Sequence, residues 1–198
     1  MKTNNGDHMR VFKNNSLEFL SRCHYSVPFI LFIPVVLFFF YRSYALGLDI
    51  MPILLISIVS IFSWTLFEYF AHTYLLHSMS KALSSRNFLQ KSHLQHHEYP
   101  LDEHRVVLSP LVSIPGAFLF YFLFYFTMGD PYSSSFFAGF VTGYLIYDFV
   151  HYTVHHKSYK IKFFNTLKRH HLLHHYKHPE KNFGLSITFW DKVFRTIK

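Results

Sequence analysis

Four stretches of this chain, 27–41, 50–67, 106–128 and 131–147, contain no charged residue. A helix needs about 17 to 25 predominantly apolar residues to cross a bilayer's hydrocarbon layer, so these runs constrain the fold more than any other feature. Composition agrees: 51% of the 198 residues are hydrophobic, including 25 Phe and 14 Tyr, a membrane-protein profile. The first run is short. It reaches spanning length if residues 23–26 join it with His24 neutral, and Pro28 and Pro34 are expected to bend it; a re-entrant or interfacial segment is the alternative.

The short connections 42–49 and 129–130 favour two antiparallel helical hairpins. Of the 19 Lys and Arg, 18 precede the first run, lie between His77 and Val106, or follow His155; only Arg42 lies on the other side. The positive-inside rule assigns the basic side, with both termini, to the cytoplasm. The expectation is an all-α integral membrane protein with about four transmembrane helices in two hairpins and a cytoplasmic helical cap. Residues 1–25 form a cytoplasmic segment, 26–155 the hairpins with their cytoplasmic loop, and 156–198 the cap. The net charge of +8 then follows from topology and need not mean nucleic acid. A basic face also attracts anionic headgroups or an acidic protein partner. A cleavable signal peptide is not expected, because about 25 mainly polar residues precede the first run and no small-residue cleavage site follows it.

Ten of the 16 histidines fall into four clusters: HTYLLH (His72, His77), HLQHH (His93, His96, His97), HYTVH (His151, His155) and HLLHH (His171, His174, His175). Spacings of three and four put imidazoles on one helix face, and neutral imidazole is a common metal ligand. One ion takes about four to six ligands, so ten histidines suggest two ions held close together. Cys23 is the only cysteine, which leaves nitrogen and oxygen as ligand atoms. The charge-derived topology places all four clusters at the cytoplasmic level.

His72 and His77 are five apart, separated by roughly 140° on an α-helix, so they are expected to serve different ions unless the helix frays between them. Glu68 precedes His72 by four and Asp148 precedes His151 by three; both are candidate acceptors for imidazole N–H groups, or else helix-end charges facing headgroups or water. His8, His24 and His104 lack clustered partners and read as solvent-facing. His156, His170 and His178 flank the clusters and are not expected to be direct ligands. The aromatic stretch 118–126 reads either as packing against lipid and neighbouring helices or as the lining of an acyl channel.

The segments EYFAHTYLLH, HLQHHEYPLDEHRVVLSP, GYLIYDFVHYTVHH and LKRHHLLHHYKHPEKNFGLSITFWDKVF resemble the fatty acid hydroxylase superfamily, most closely its fatty acid 2-hydroxylase branch, the sphingolipid acyl α-hydroxylases. The resemblance runs from about Trp64 to Phe194. The histidine boxes are shared with sterol desaturases and carotenoid hydroxylases, whereas HHEYPLD and NFGLSITFWDKVF are branch-specific. It implies a dimetal centre on the ten clustered histidines. Eukaryotic members often carry a cytochrome b5-like haem domain; no HPGG motif occurs here, so electrons are expected from a separate cytochrome b5 or ferredoxin-type protein.

The expected reaction is hydroxylation of C2 of a fatty acyl chain, free, thioester or sphingolipid-linked, using O₂ and two iron ions. Zinc has no redox chemistry but can substitute in purified protein. A desaturase or a sterol or carotenoid hydroxylase is the alternative within the family. A divalent-metal transporter is a distant one, because its ligands should lie near the bilayer midplane. The host membrane is a bacterial inner membrane or the endoplasmic reticulum.

Overall fold

A computed structural model describes Arg10 and residues 12–77 and 87–198; His8 lies outside them. The described residues form helices and no strand. A short α1 (Asn15–Leu20), capped by the Asn14 side chain, precedes α2 (Val27–Ala45) and α3 (Ile50–Phe70), which continues as a π-helical turn over Ala71–Leu76. Then follow α4 (Phe88–Glu98), α5 (Pro110–Met128), α6 (Tyr132–His156), α7 (Lys162–Tyr176) and α8 (Phe189–Val193).

Three helices, Val27–Ala45, Ile50–Leu76 and Pro110–Met128, are long and apolar enough to cross a membrane. The first run gains its length at the end opposite to the one expected. Residues 23–26 stay outside the helix, which instead runs past Arg42 to Ala45 and continues through Pro34. Arg42 reaches Asp130 across 2.5 Å, joining the tips of the two hairpins, and Asp130 also accepts from the Ser133 and Ser134 hydroxyls.

The fourth run lies within α6, whose 25 residues are long enough to span but are less apolar than the other three helices. Position explains the composition. Helix α6 packs against α2, α3 and α5 and is shielded along most of its length, so it tolerates Ser133, Ser134, Ser135, Thr142 and Asp148. Small residues let α3 approach: a Cβ at Gly139 would lie 1.9 Å from Ser60 Oγ, and one at Gly143 only 2.5 Å from Trp64 Cβ. Such small-residue seams drive helix contact where lipid supplies no hydrophobic force. Phe32, Phe124, Phe137, Phe140, Val141 and Tyr144 fill the core beside the seam.

The cap is built on the same end as the histidines. An Asn87 and Gln90 capping box starts α4. Helix α7 turns Leu167, His170, His171, His174 and His175 inward, while Val150, Val154, Leu167 and Leu185 make a second small core. The buried Arg105 guanidinium binds Glu18, Asp102 and Ser21, tying the segment around α1 to the loop after α4.

Two outcomes follow from this packing. Gly143→Leu should force α3 and α6 apart and cost about 1–3 kcal/mol of stability, read as a lowered Tm in detergent; an unchanged Tm contradicts the close seam. Cys23 is buried, and burial, reinforced by the Asp148 carboxylate, pushes its thiol up to about 11. At pH 8 only about one molecule in a thousand then carries the reactive thiolate. Maleimide should therefore label Cys23 after denaturation but scarcely before it, and rapid labelling of the native protein contradicts the burial.

Candidate metal centre

Spans and cap bring all ten clustered histidines together in two adjacent groups. One comprises His72, His77, His93, His97 and His174, the other His96, His151, His155, His171 and His175; within each group the ligand atoms lie within 4.8 Å of one another. The second group is wholly buried, whereas His77 and His97 leave the first more open. The groups touch through the stacked rings of His97 and His175, 4.0 Å apart. His24 and His104 are exposed, as expected. His156, His170 and His178 face Glu103, Asp191 and Glu180 instead of joining either group.

His72 and His77 fall in one group, as the alternative of an interrupted α-helix between them requires, and not in the separate groups that a continuous α-helix predicts. The reason is the π-helical turn. The His77 amide donates to the His72 carbonyl at 3.1 Å, an i→i+5 bond that brings residues five apart onto a common side.

In the first group the Nε2 atoms converge. His93 Nε2 lies 3.2 Å from that of His72, 2.8 Å from that of His77 and 3.1 Å from that of His97, and His174 Nε2 is 3.0 Å from His77 Nε2. One proton can bridge only one such pair, so hydrogen bonding leaves lone pairs facing one another. A cation among them removes that repulsion. Nitrogens each about 2.1 Å from a metal and at right angles around it sit about 3 Å apart. The second group repeats the pattern, with His155 Nε2 at 3.1 Å from His96 Nε2 and 2.9 Å from His171 Nε2. An all-nitrogen donor set of this kind fits a pair of transition-metal ions. Ligation also needs neutral rings. Burial, with neighbouring imidazoles adding, lowers His77 and His97 to about 2, and burial lowers His174 to about 4.

The carboxylates act elsewhere than expected. Among the described residues Glu68 has no imidazole partner; its Oε1 accepts from the Leu185 and Ser186 amides at 2.6 and 2.9 Å, and its Oε2 from the Ser186 hydroxyl. Asp148 is fully buried, but its oxygens have no imidazole within hydrogen-bond reach among the described residues. Both assignments as imidazole acceptors are thereby corrected. The spacing argument put each on a ligand-bearing face, but a shared helix face does not fix where a carboxylate finds donors.

The groups that do hold imidazoles lie in the segment after α7. His72 Nδ1 donates to the Phe183 carbonyl at 2.6 Å and His174 Nδ1 to the Lys181 carbonyl at 2.7 Å. A carbonyl only accepts, so both protons reside on Nδ1 and both Nε2 lone pairs are free. Asp191 sets this segment from beneath: it accepts from the Phe183 and Gly184 amides, the Thr196 hydroxyl and His170 Nε2, all at 2.7–2.9 Å. Burial opposes its ionisation, but the bonds from His170, Thr196 and Gly184 outweigh that and hold the carboxyl below its usual range. Gly184 permits the approach, since a Cβ there would lie 2.4 Å from the Ile187 carbonyl oxygen and 2.9 Å from Asp191 Oδ2. Asp191 and Ser186 were not marked by sequence spacing, and the motif NFGLSITFWDKVF was the only pointer to them; His170 was marked only as a histidine flanking the fourth cluster.

A cavity of about 230 Å³ adjoins both groups. Its wall includes Phe32, Phe67, Phe120 and Phe140 between the spans and His72, His93, His96 and His151 from the two histidine groups. The aromatic stretch 118–126 thus divides: Phe120 lines the cavity, while Phe118, Phe122 and Phe126 are exposed on the lipid-facing surface.

Known proteins resemble this chain along nearly all of its length. It is 30% identical over 189 residues to the dihydroceramide fatty acyl 2-hydroxylase FAH1 of Arabidopsis thaliana, spanning 95% of this chain and 79% of that one. It is 32% identical over 215 residues to the fatty acid 2-hydroxylase of Homo sapiens, spanning 96% of this chain and 56% of that one. The solved structure described as full-length scs7p, with only the hydroxylase domain visible, superposes with a TM-score of 0.83 at 30% identity, covering 94% of this chain and 71% of that one. The sequence model for fatty acid hydroxylase matches residues 57–196, and the chain belongs to the fatty acid hydroxylase family.

Proposed function

We propose that this protein is a membrane-bound oxidoreductase that hydroxylates C2 of a fatty acyl chain, with the ten clustered histidines holding a pair of iron ions. The observation that carries this reading is the cavity, whose wall is aromatic and aliphatic toward the spans and contributes histidines from both groups at its other end. An acyl tail in the apolar part leaves the carbons next to its carbonyl beside the imidazoles. The names of the relatives, fatty acid 2-hydroxylase and dihydroceramide fatty acyl 2-hydroxylase, support C2 as the position and a free or lipid-linked acyl group as the substrate.

Bound iron would supply O₂ activation and abstraction of the C2 hydrogen, chemistry that zinc at the same nitrogens would not provide. The side chains contribute placement. Phe67, Phe120 and Phe140 fix the tail and exclude water from the reacting end. His72 and His174 are held with Nε2 unprotonated by the Phe183 and Lys181 carbonyls. Glu68 keeps the 185–186 backbone against α3. The reaction consumes two electrons, which we assign to a cytochrome b5 or ferredoxin-type donor meeting the basic face. Residues 1–198 then act as one membrane domain with both termini cytoplasmic, in a bacterial inner membrane or the endoplasmic reticulum.

Expression of the wild type and His96→Ala in a host supplied with iron and a reductase tests the activity. The wild type should raise 2-hydroxy acyl lipids and the variant should abolish the increase. Equal 2-hydroxy content in both removes the reading, and a new unsaturated, sterol or carotenoid product replaces it with desaturation or ring hydroxylation. The cavity has its own test. Gly116 lies on its wall, and a Cβ added there would meet nothing within 4 Å, so Gly116→Phe should fill the space and shift the hydroxylated products toward shorter chains. An unchanged chain-length profile would place the tail elsewhere.

A further inference from the structure

Resting on the assignment of the histidines to a metal pair, we propose that the two metal positions are unequal. The group of His72, His77, His93, His97 and His174 is the high-affinity position, and Asp191 is the positioning residue that makes it so.

The two groups differ in what holds their rings. In the first, His72 and His174 each give the Nδ1 proton to a backbone carbonyl, which fixes both tautomer and ring orientation before any ion arrives. In the second, Nδ1 of His96, His151, His171 and His175 is buried and finds no acceptor among the described residues. Among the described residues those rings have no partner at Nδ1 to select one tautomer. Partners on the far side of a ligating imidazole typically change metal affinity by about 10- to 100-fold, which sets the expected gap between the positions.

Of the two carbonyls, that of Phe183 is itself held through the Gly184 amide of the same peptide unit. Asp191, fully buried, accepts from the Phe183 and Gly184 amides, and Glu68 accepts from those of Leu185 and Ser186, so residues 183–186 are pinned by two carboxylates. His170 and Thr196 complete the set of donors around Asp191. Asparagine cannot reproduce this arrangement, because its amide nitrogen donates where Gly184 and His170 also donate. Burial alone argues for the opposite order, since the second group is the more enclosed and its ion would be the harder to lose. Orientation and enclosure therefore make opposing claims, and affinity measured at equilibrium separates them from rates of escape.

The test is equilibrium dialysis of the full chain in detergent, stripped of metal and titrated with buffered zinc(II) alone. Two ions should bind, with dissociation constants about 10- to 100-fold apart. His155→Ala should abolish the weaker class and spare the tighter. Asp191→Asn should weaken the tighter class and leave the weaker unchanged, a selective loss that general destabilisation would not give. Thr196→Val removes a single bond to Asp191 and should produce a smaller shift in the same class should Asp191→Asn fail to fold. Two ions of equal affinity, loss of the tighter class in His155→Ala, or equal weakening of both classes by Asp191→Asn or Thr196→Val would overturn the inference while leaving the metal pair intact. Binding of fewer than two ions would instead remove the metal-pair reading on which it stands.

Discussion

An imidazole offers a lone pair to a metal only when its other nitrogen carries the proton, and ten such rings crowded into one end of a helical bundle face that requirement together. The bundle meets the crowding by shielding. Helix α6 brings His151 and His155 up through the middle of the other helices, α3 ends in the turn that carries His72 and leads to His77, and α4 and α7 close over them with the remaining six rings. The protein pays no charge penalty for this assembly while the rings stay neutral, and burial keeps His77, His97 and His174 neutral far below pH 7. The cost of gathering them is the opposition of bare Nε2 atoms about 3 Å apart, which a cation reverses.

Backbone groups complete what the side chains begin. The Phe183 and Lys181 carbonyls belong to an irregular segment that has no helix or sheet to satisfy them, so they are free to take imidazole protons. Holding such a segment still beside a membrane needs compensating acceptors for its amides. Glu68 comes from the end of a spanning helix and Asp191 from α8, and between them they turn a loop into a fixed surface. A cap of short and irregular pieces thereby attains the rigidity that metal ligation requires.

Much of this was legible in the sequence, for identifiable reasons. Charge-free runs and lopsided Lys and Arg counts report on solvent, and the solvent dictates helices and their common end. The HxxHH spacings report on an α-helical face, and α4 and α7 present their triplets as that period requires. The π-helical turn at Ala71–Leu76 was not legible, because HTYLLH has no breaker and the α period separates its two histidines. Glu68 and Asp148 were placed on the correct faces but given partners they do not have. Backbone amides and carbonyls leave no letter in the sequence, so Glu68's true partners and the carbonyls behind His72 and His174 emerge only when distant segments are folded together. The polar character of α6 has a physical reason: sequence hydropathy measures exposure to lipid, and a helix packed against three others is largely spared it.

The pinning of residues 183–186 by Asp191 also bears on how the protein is made. Ribosomes deliver the ligands in order from His72 to His175, but the orientation of the earliest of them depends on a carboxylate that emerges more than a hundred residues later. Until then the spans can insert and pair while the first histidine box has no fixed tautomer. Fixing of that box is thus a late event of folding, reached only in a chain whose membrane part is already in place.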